Sequence, residues 1–223
     1  YSIDLPCFGD SPINSKTIYD LNFFTNSIIE FIKNLKINNL SIAGESIGAV
    51  LSASVSVRLP KQVKKIFMFN PYDYDSYFGE GIGRGNFFAK FILFNISLPI
   101  IGEIFSSLEN KFILRYVMGG GFINPGNLSD EYLNLLCTSF KKKGYAYHFR
   151  NVLQKFKENN EIKEIYKKTK VPIKLVYGID DWANESERLQ TQKLLKLDKY
   201  HVIDNCKHFS FLENSKEVFS ILN

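Results

Sequence analysis

The segment Gly44-Glu45-Ser46-Ile47-Gly48 constrains the fold of this chain more than any other feature. It follows a short apolar run that predicts a strand, residues 39–43, and leads into a small-residue run that predicts a helix, residues 47–58. A serine on such a sharp strand-to-helix turn holds its hydroxyl away from the sheet, and we expect both glycines because side chains there would collide with the neighbouring helix and strand. The pattern therefore predicts a nucleophilic Ser46, with the Ile47 N–H at the positive end of the helix as an oxyanion donor.

Strands and helices alternate on both sides of the middle of the chain. Residues 1–5 suggest the end of a strand entering a turn. The other predicted strands are 63–69, 173–177 and 200–203, and the other predicted helices are 18–35, 184–196 and 214–222. This alternation indicates parallel βαβ units.

The middle of the chain has a different pattern. Residues 72–168 contain no convincing strand, but they contain two clear helix patterns, 129–140 and 145–168. The glycine-rich residues 79–85 lack the ending of a phosphate loop and predict a hinge or cap loop instead. We therefore predict a core of residues 1–71 and 169–223, interrupted by an inserted helical cap at 72–168.

Within this cap, residues 87–101 form an apolar run. Lys90, Asn95 and Pro99 interrupt it, and this interruption favours a buried or interfacial helix over a membrane span. The run either lines a channel for a hydrophobic substrate or packs the interior of the cap. The tentative substrate-binding residues are Phe87, Phe91 and Phe94.

Composition limits the partners and the compartment. The net charge is +5, but the lysines form short, dispersed clusters without a nucleic-acid motif. We therefore expect no nucleic-acid partner, and at most a weak attraction to an anionic membrane surface. Three widely spaced cysteines disfavour a disulfide framework and predict a reducing compartment, the cytoplasm. No residues have metal-ligand spacing, so we expect neither a metal nor a cofactor.

A nucleophilic serine needs a base, and the chain has three histidines. His208 lies in a loop between the last predicted strand and the final helix, where it can reach other loops. His201 falls inside a strand pattern and is more consistent with a structural role, while His148 falls in a predicted helix of the cap. We therefore predict that His208 is the base.

The base in turn needs an acid to orient it. Asp181 follows the predicted strand 173–177, and the carboxyl ends of parallel strands converge on one crevice. Asp180 is a direct rival, and Asp73 and Asp75, just after the strand at 63–69, form a second rival location. The order Ser46, Asp181, His208 is the one expected on this type of sheet.

Four motifs together resemble those of the α/β-hydrolase fold superfamily. Residues 4–11 resemble its D-x-P-G-x-G-x-S loop, with Cys7 at the first glycine, and residues 44–48 match the serine turn. Gly178-x-x-Asp181 matches the acid turn, and residues 206–209 resemble the histidine loop. The resemblance implies a mostly parallel sheet flanked by helices with an inserted helical cap, and it favours Asp181 over Asp180.

The resemblance also implies a segment that supplies a second oxyanion donor upstream of residue 1. We therefore expect the natural protein to have additional N-terminal residues, because one donor alone supports only slow catalysis.

These residues predict a serine hydrolase of esterase, lipase or thioesterase type that acts on a small, apolar substrate. A serine at the turn disfavours the dehalogenase and epoxide-hydrolase branches, which resemble this fold but use an aspartate nucleophile. Acyl transfer and C–C bond hydrolysis would use the same three residues. A non-catalytic protein that binds a small molecule or a partner on the same fold is the alternative from another class.

Overall fold

The computed structural model describes residues 1–14, 16–73, 80–98, 100–157 and 161–223, without the side chains of Phe156 and Lys157. Asp75, Gly79 and Pro99 therefore lie outside the described residues.

The described strands form one parallel sheet in the order β1-β2-β3-β4. Their bounds are β1 Leu40–Glu45, β2 Val63–Phe69, β3 Ile173–Gly178 and β4 His201–Ile203. Glu45 pairs with Phe69, and Gly178 pairs with Ile203, so the carboxyl ends of the strands share one edge of the sheet. The predicted parallel α/β architecture is confirmed.

Twelve α-helices lie within the described ranges. They are α1 Leu21–Asn34, α2 Ile47–Arg58, α3 Glu80–Gly85, α4 Phe87–Ile96, α5 Ile101–Ser107, α6 Lys111–Gly119, α7 Asp130–Thr138, α8 Tyr145–Lys157, α9 Ile162–Lys168, α10 Glu185–Leu194, α11 Ser210–Glu213 and α12 Ser215–Leu222.

Alternating strand residues divide the core between the two faces of the sheet, as the period of two in a strand requires. Ile66 and Met68 of β2 pack with α1, α2 and α9 in the main core. Phe67 and Phe69 face the other way and pack with Val218 of α12. Helices therefore cover both faces of the sheet, which is the usual arrangement for a parallel sheet.

Helices α3 to α8, between β2 and β3, are called the helical insertion below. Asparagine side chains at Asn86 and Asn110 accept hydrogen bonds from the first N–H groups of α4 and α6, which fixes where these helices begin. Several large apolar side chains of the insertion are exposed, including Phe87 at 80% and Phe112 at 85%. Single exposed apolar side chains are normal on a protein surface, but the insertion carries several of them in one part of the chain.

Three local predictions differ from the structure. Residues 1–5 form no strand, and residues 80–85 form helix α3 where a loop was expected. Where one helix was expected at 145–168, the structure has α8 and α9, and α9 packs against α2 and α10 of the sheet layer. The proposed boundaries of the cap stay a prediction.

Helices long and apolar enough to cross a membrane are not found in the part of the chain that the structure describes. All three cysteines are free, with Cys7 and Cys206 buried. Within the described ranges, His, Cys, Asp and Glu side chains form no group of three that could hold a metal ion.

Candidate active site

Ser46 occupies the turn between β1 and α2 in a conformation that non-glycine residues rarely adopt. Its φ is 55° and its ψ is −120°. The Ser46 N–H donates to the Phe69 carbonyl at 2.9 Å, and its own carbonyl accepts the Tyr72 N–H at 3.3 Å, so the end of β2 and the segment after it hold the strained turn in place. Strain of this kind is concentrated at functional sites.

The two glycines of the turn are not equivalent. A Cβ on Gly44 would lie 2.1 Å from the Gly48 carbonyl oxygen, so Gly44 is required by close backbone packing. A Cβ on Gly48 would meet no described atom within 4 Å. The expectation of a collision is therefore correct for Gly44 and wrong for Gly48, because the side of α2 that bears Gly48 faces open space among the described residues.

Three side chains from separate loops are joined by hydrogen bonds. His208 Nε2 lies 3.0 Å from Ser46 Oγ, and His208 Nδ1 lies 2.6 Å from Asp181 Oδ1. The second oxygen of Asp181 accepts the Ala183 N–H at 3.0 Å. With its proton on Nδ1, His208 donates to Asp181 and presents the Nε2 lone pair to the serine hydroxyl. The His208 and Asp181 side chains are 1% and 0% exposed, so water does not compete for this contact.

Trp182, directly after the acid, packs against the base. Its indole stacks on the His208 imidazole, with ring centroids 3.9 Å apart and planes 15° apart. The indole N–H donates to the Gly120 carbonyl at 3.2 Å, which fixes the ring. Trp182 therefore restricts the rotation of the histidine.

The structure separates two of the rival acids, Asp180 and Asp73, from His208. Asp180 is exposed and contributes a backbone N–H to the Cys206 carbonyl. Asp73 is half-buried, with its Oδ1 atom shielded from solvent, and its Oδ2 atom accepts the Thr191 hydroxyl at 3.0 Å. Burial raises the pKa of Asp73 to about 7, which favours its neutral form. Asp75 lies outside the described residues.

Neither of the other two histidines has a described contact with Ser46. His201 is exposed at the start of β4. His148 is 1% exposed in α8 and packs edge-on against Phe8 and Tyr145, with ring centroids 5.5 and 5.3 Å away. Burial lowers the pKa of His148 to about 4, so its ring is neutral at pH 7.

Asn70, directly after β2, is a site residue that the sequence analysis missed. It is fully buried with a φ of 43°, a conformation that asparagine tolerates better than most residues. Its side-chain amide donates to the His208 carbonyl at 2.9 Å, and its oxygen accepts the Gly178 N–H at 2.8 Å. Asn70 thus ties the histidine loop to the ends of β2 and β3. The one signal for this role in the sequence was the position of a polar residue directly after a predicted apolar strand.

Glu45 is a second residue that was missed, although it lies inside the serine turn. Its Oε1 accepts the N–H and the hydroxyl of Ser210 and the N–H of Phe211. Burial raises the pKa of Glu45, while the hydrogen bonds from Ser210 oppose this effect. The carboxyl group therefore links the residue before Ser46 to the helix that follows His208.

The helical insertion also reaches the histidine loop. The Gly121 carbonyl accepts the His208 N–H at 3.1 Å and the Phe209 N–H at 3.3 Å. A Cβ on Gly121 would lie 2.5 Å from the Phe209 ring, so this approach depends on glycine. The insertion and the sheet therefore position His208 together.

A cavity of about 320 Å³ lies beside Ser46. Most of its lining is apolar, with Glu45 and Asp4 as the acidic members; the other lining residues are Ile3, Leu5, Phe8, Phe24, Ser46, Ile47 and Val152. Ile47 is the first residue of α2, so its N–H has no intrahelical acceptor. Phe87, Phe91 and Phe94 do not line this cavity but are 80%, 50% and 46% exposed on α4.

No protein-family model matches the chain, and no curated protein matches it. Solved structures do resemble it. An epoxide hydrolase, CorEH, has a TM-score of 0.80 at 16% identity, covering 98% of this chain and 78% of its own. A meta-cleavage product hydrolase from Pseudomonas fluorescens has a TM-score of 0.74 at 16% identity, covering 98% and 76%. An esterase from Thermogutta terrifontis has a TM-score of 0.69 at 11% identity, covering 98% and 76%. The parallel sheet, the helices on both of its faces and these neighbours together show that the chain has the α/β-hydrolase fold.

Proposed function

We propose that this protein is a serine hydrolase that cleaves an ester, a thioester or a related carbonyl compound with an apolar acyl group. The observation that carries the proposal is the pair of contacts at His208, 3.0 Å to Ser46 Oγ and 2.6 Å to Asp181 Oδ1. The neighbours in fold are hydrolases by name, which agrees with the proposal without fixing the reaction.

In the proposed reaction Ser46 Oγ attacks the substrate carbonyl while His208 Nε2 takes the hydroxyl proton. Asp181 holds the imidazole in the required tautomer and stabilises its charged form. The Ile47 N–H donates to the developing oxyanion at the start of α2. His208 then protonates the leaving group, and a water molecule, activated by the same histidine, hydrolyses the acyl-enzyme.

The cavity beside Ser46 supports an apolar substrate. Phe8, Phe24 and Val152 would contact an acyl chain there, whereas the acidic side chains Asp4 and Glu45 would disfavour an anionic one. A series of p-nitrophenyl esters of increasing acyl length tests this assignment. We expect kcat/KM to rise with chain length and then fall once the chain exceeds the cavity. Equal rates across the series would argue against a role for the cavity.

Acyl transfer and C–C hydrolysis use the same residue types, and the meta-cleavage product hydrolase neighbour carries the second reaction in its name. The ester assays should therefore be repeated with an added acceptor alcohol, which tests acyl transfer. A meta-cleavage product should also be assayed as a substrate, which tests C–C hydrolysis. A non-catalytic binding protein is the other alternative, because fold alone does not fix function.

A fluorophosphonate probe separates the enzyme from the binding protein. We expect the full-length protein to react with the probe, Ser46→Ala to lose the reaction, and Ser41→Ala, a change at an exposed serine of β1, to keep it. Circular dichroism of all three proteins checks that they are folded. Absence of labelling in folded wild-type protein would contradict the proposal.

We also propose a weak contact between the helical insertion and an anionic membrane surface. Exposed Phe87, Phe91 and Phe94 lie on α4, whose charged residue is Lys90, with no acid in the helix. Exposed aromatic side chains beside a cation are suited to the interface of an anionic bilayer. Sedimentation with phosphatidylserine vesicles should carry down the wild type but less of Phe87→Ser, and equal sedimentation would contradict the contact. The cytoplasm stays our proposal for the compartment.

A further inference from the structure

A second cavity lies inside the helical insertion and shares no lining residue with the cavity beside Ser46. Its volume is about 120 Å³, and aliphatic side chains of α4 and α6 form much of its wall. An apolar protein cavity of about 150 Å³ takes up a molecule of the size of benzene. The cavity is therefore suited to one small ring or a short branched alkyl group.

Three aromatic rings form another part of this wall. Tyr145 stacks on Phe149 with ring centroids 5.7 Å apart, and Phe140 packs against Tyr145 at 5.2 Å. The faces of aromatic rings attract organic cations, and this attraction strengthens when water is excluded.

One carboxyl group also lines the cavity. Glu109 Oε2 accepts the Tyr145 hydroxyl at 2.8 Å, whereas Glu109 Oε1 is buried and has no hydrogen-bond partner among the described residues. A buried polar atom without a hydrogen-bond partner destabilises the folded protein. Burial raises the pKa of Glu109 to about 7, so at pH 7 much of this carboxyl group stays neutral until a cation arrives.

We propose that this cavity binds a small apolar amine in its ammonium form, with the N–H groups donating to Glu109 Oε1 and the alkyl group among the aromatic and aliphatic side chains. The unpaired oxygen favours a primary or secondary ammonium over a quaternary one, which has no N–H to donate. The site is independent of the reaction proposed at Ser46.

Isothermal titration with 3-methylbutylammonium chloride tests the site, with 3-methylbutanol as the neutral compound of matching shape. We expect saturable binding of the amine and at least about tenfold weaker binding of the alcohol, because a hydrogen bond to a charged group contributes more than a neutral one. Glu109→Gln should weaken amine binding by about tenfold or more.

Glu103→Gln is the matched control, since Glu103 is an exposed acid in the preceding helix that pairs with Arg150. It should bind the amine as the wild type does. Ile113→Phe, which fills the cavity and leaves Glu109 intact, should abolish binding, and a melting curve for each variant confirms that it is folded. No saturable binding by the wild type, equal binding by Glu109→Gln, or equal binding of the alcohol would each overturn the proposal.

Discussion

The loops at the carboxyl edge of the sheet and the helical insertion are stabilised in different ways. At the sheet edge, polar side chains such as the buried Asn70 and the half-buried Glu45 bind backbone groups of distant loops. In the insertion, ring contacts such as Phe88 with Phe91 are common, and many rings remain partly exposed. Hydrogen bonds are directional and apolar packing is not, so the first region fixes atomic positions whereas the second tolerates change.

The largest expected effect is the difference in kcat between a substitution at Asp181 and the same substitution at its neighbour in sequence, Asp180. If the proposed reaction is correct, Asp181→Asn should lower kcat by about 10,000-fold, because the amide favours the wrong histidine tautomer. Asp180→Asn, at an exposed position, should keep kcat within a few fold. Steady-state hydrolysis of a p-nitrophenyl ester measures both. Equal losses would show that the sequence-based preference for Asp181 is wrong.

A second prediction compares an asparagine from each region. Asn70→Ala should lower the free energy of unfolding by about 4 kcal/mol, because it leaves the buried Gly178 N–H and His208 carbonyl unpaired. Asn86→Ala, which removes the side-chain cap of α4, should cost about 1 kcal/mol. Urea unfolding of the two variants measures the difference. A larger loss for Asn86→Ala would reverse the comparison between the two regions.

A third prediction uses the two glycines of the serine turn. Gly44→Ala should destabilise the protein by about 3 kcal/mol through overpacking against the Gly48 carbonyl. Gly48→Ala should change stability by less than about 1 kcal/mol, because its Cβ would meet open space and alanine favours the helix. Thermal melting of both variants tests whether the turn is tightly packed on one side only; similar shifts in Tm would argue against that.

The smallest expected effect is the pH dependence of His148. Its pKa falls from about 6.5 in the unfolded chain to about 4 in the folded protein, so the unfolded state binds more protons between these values. The free energy of unfolding is therefore not reduced by this residue above pH 6.5, and it decreases as the pH falls from 6.5 towards 4. Between pH 7 and pH 4.5 the free energy of unfolding of the wild type should therefore fall by about 2 kcal/mol more than that of His148→Phe.

Urea unfolding at both pH values measures this loss. Asp73 and Glu109, whose pKa values are raised, titrate with the opposite sign but are present in both proteins, so the difference isolates His148. His201→Gln, at an exposed histidine, is the control and should show a change below about 0.5 kcal/mol. The same pH dependence in wild type and His148→Phe would contradict the buried neutral ring.

Most of the sheet and its helices could be predicted from the sequence. Strand β2 and helix α2 have the predicted bounds, since a buried strand and a small-residue helix have local signatures. Helix α3 was missed because its glycines disfavour a helix, and the predicted strand at residues 1–5 has no partner strand among the described residues.

The amino-acid sequence by itself determined the alternation of strands and helices and the serine turn, and it ordered Ser46, Asp181 and His208 along the chain. Those features depend on local periodicity and on short motifs. Only the tertiary structure showed the bonds from Asn70 to the histidine loop, 138 residues away, and the approach of Gly121 to His208. Such contacts depend on where distant loops meet at one edge of the sheet, and no local pattern encodes that meeting.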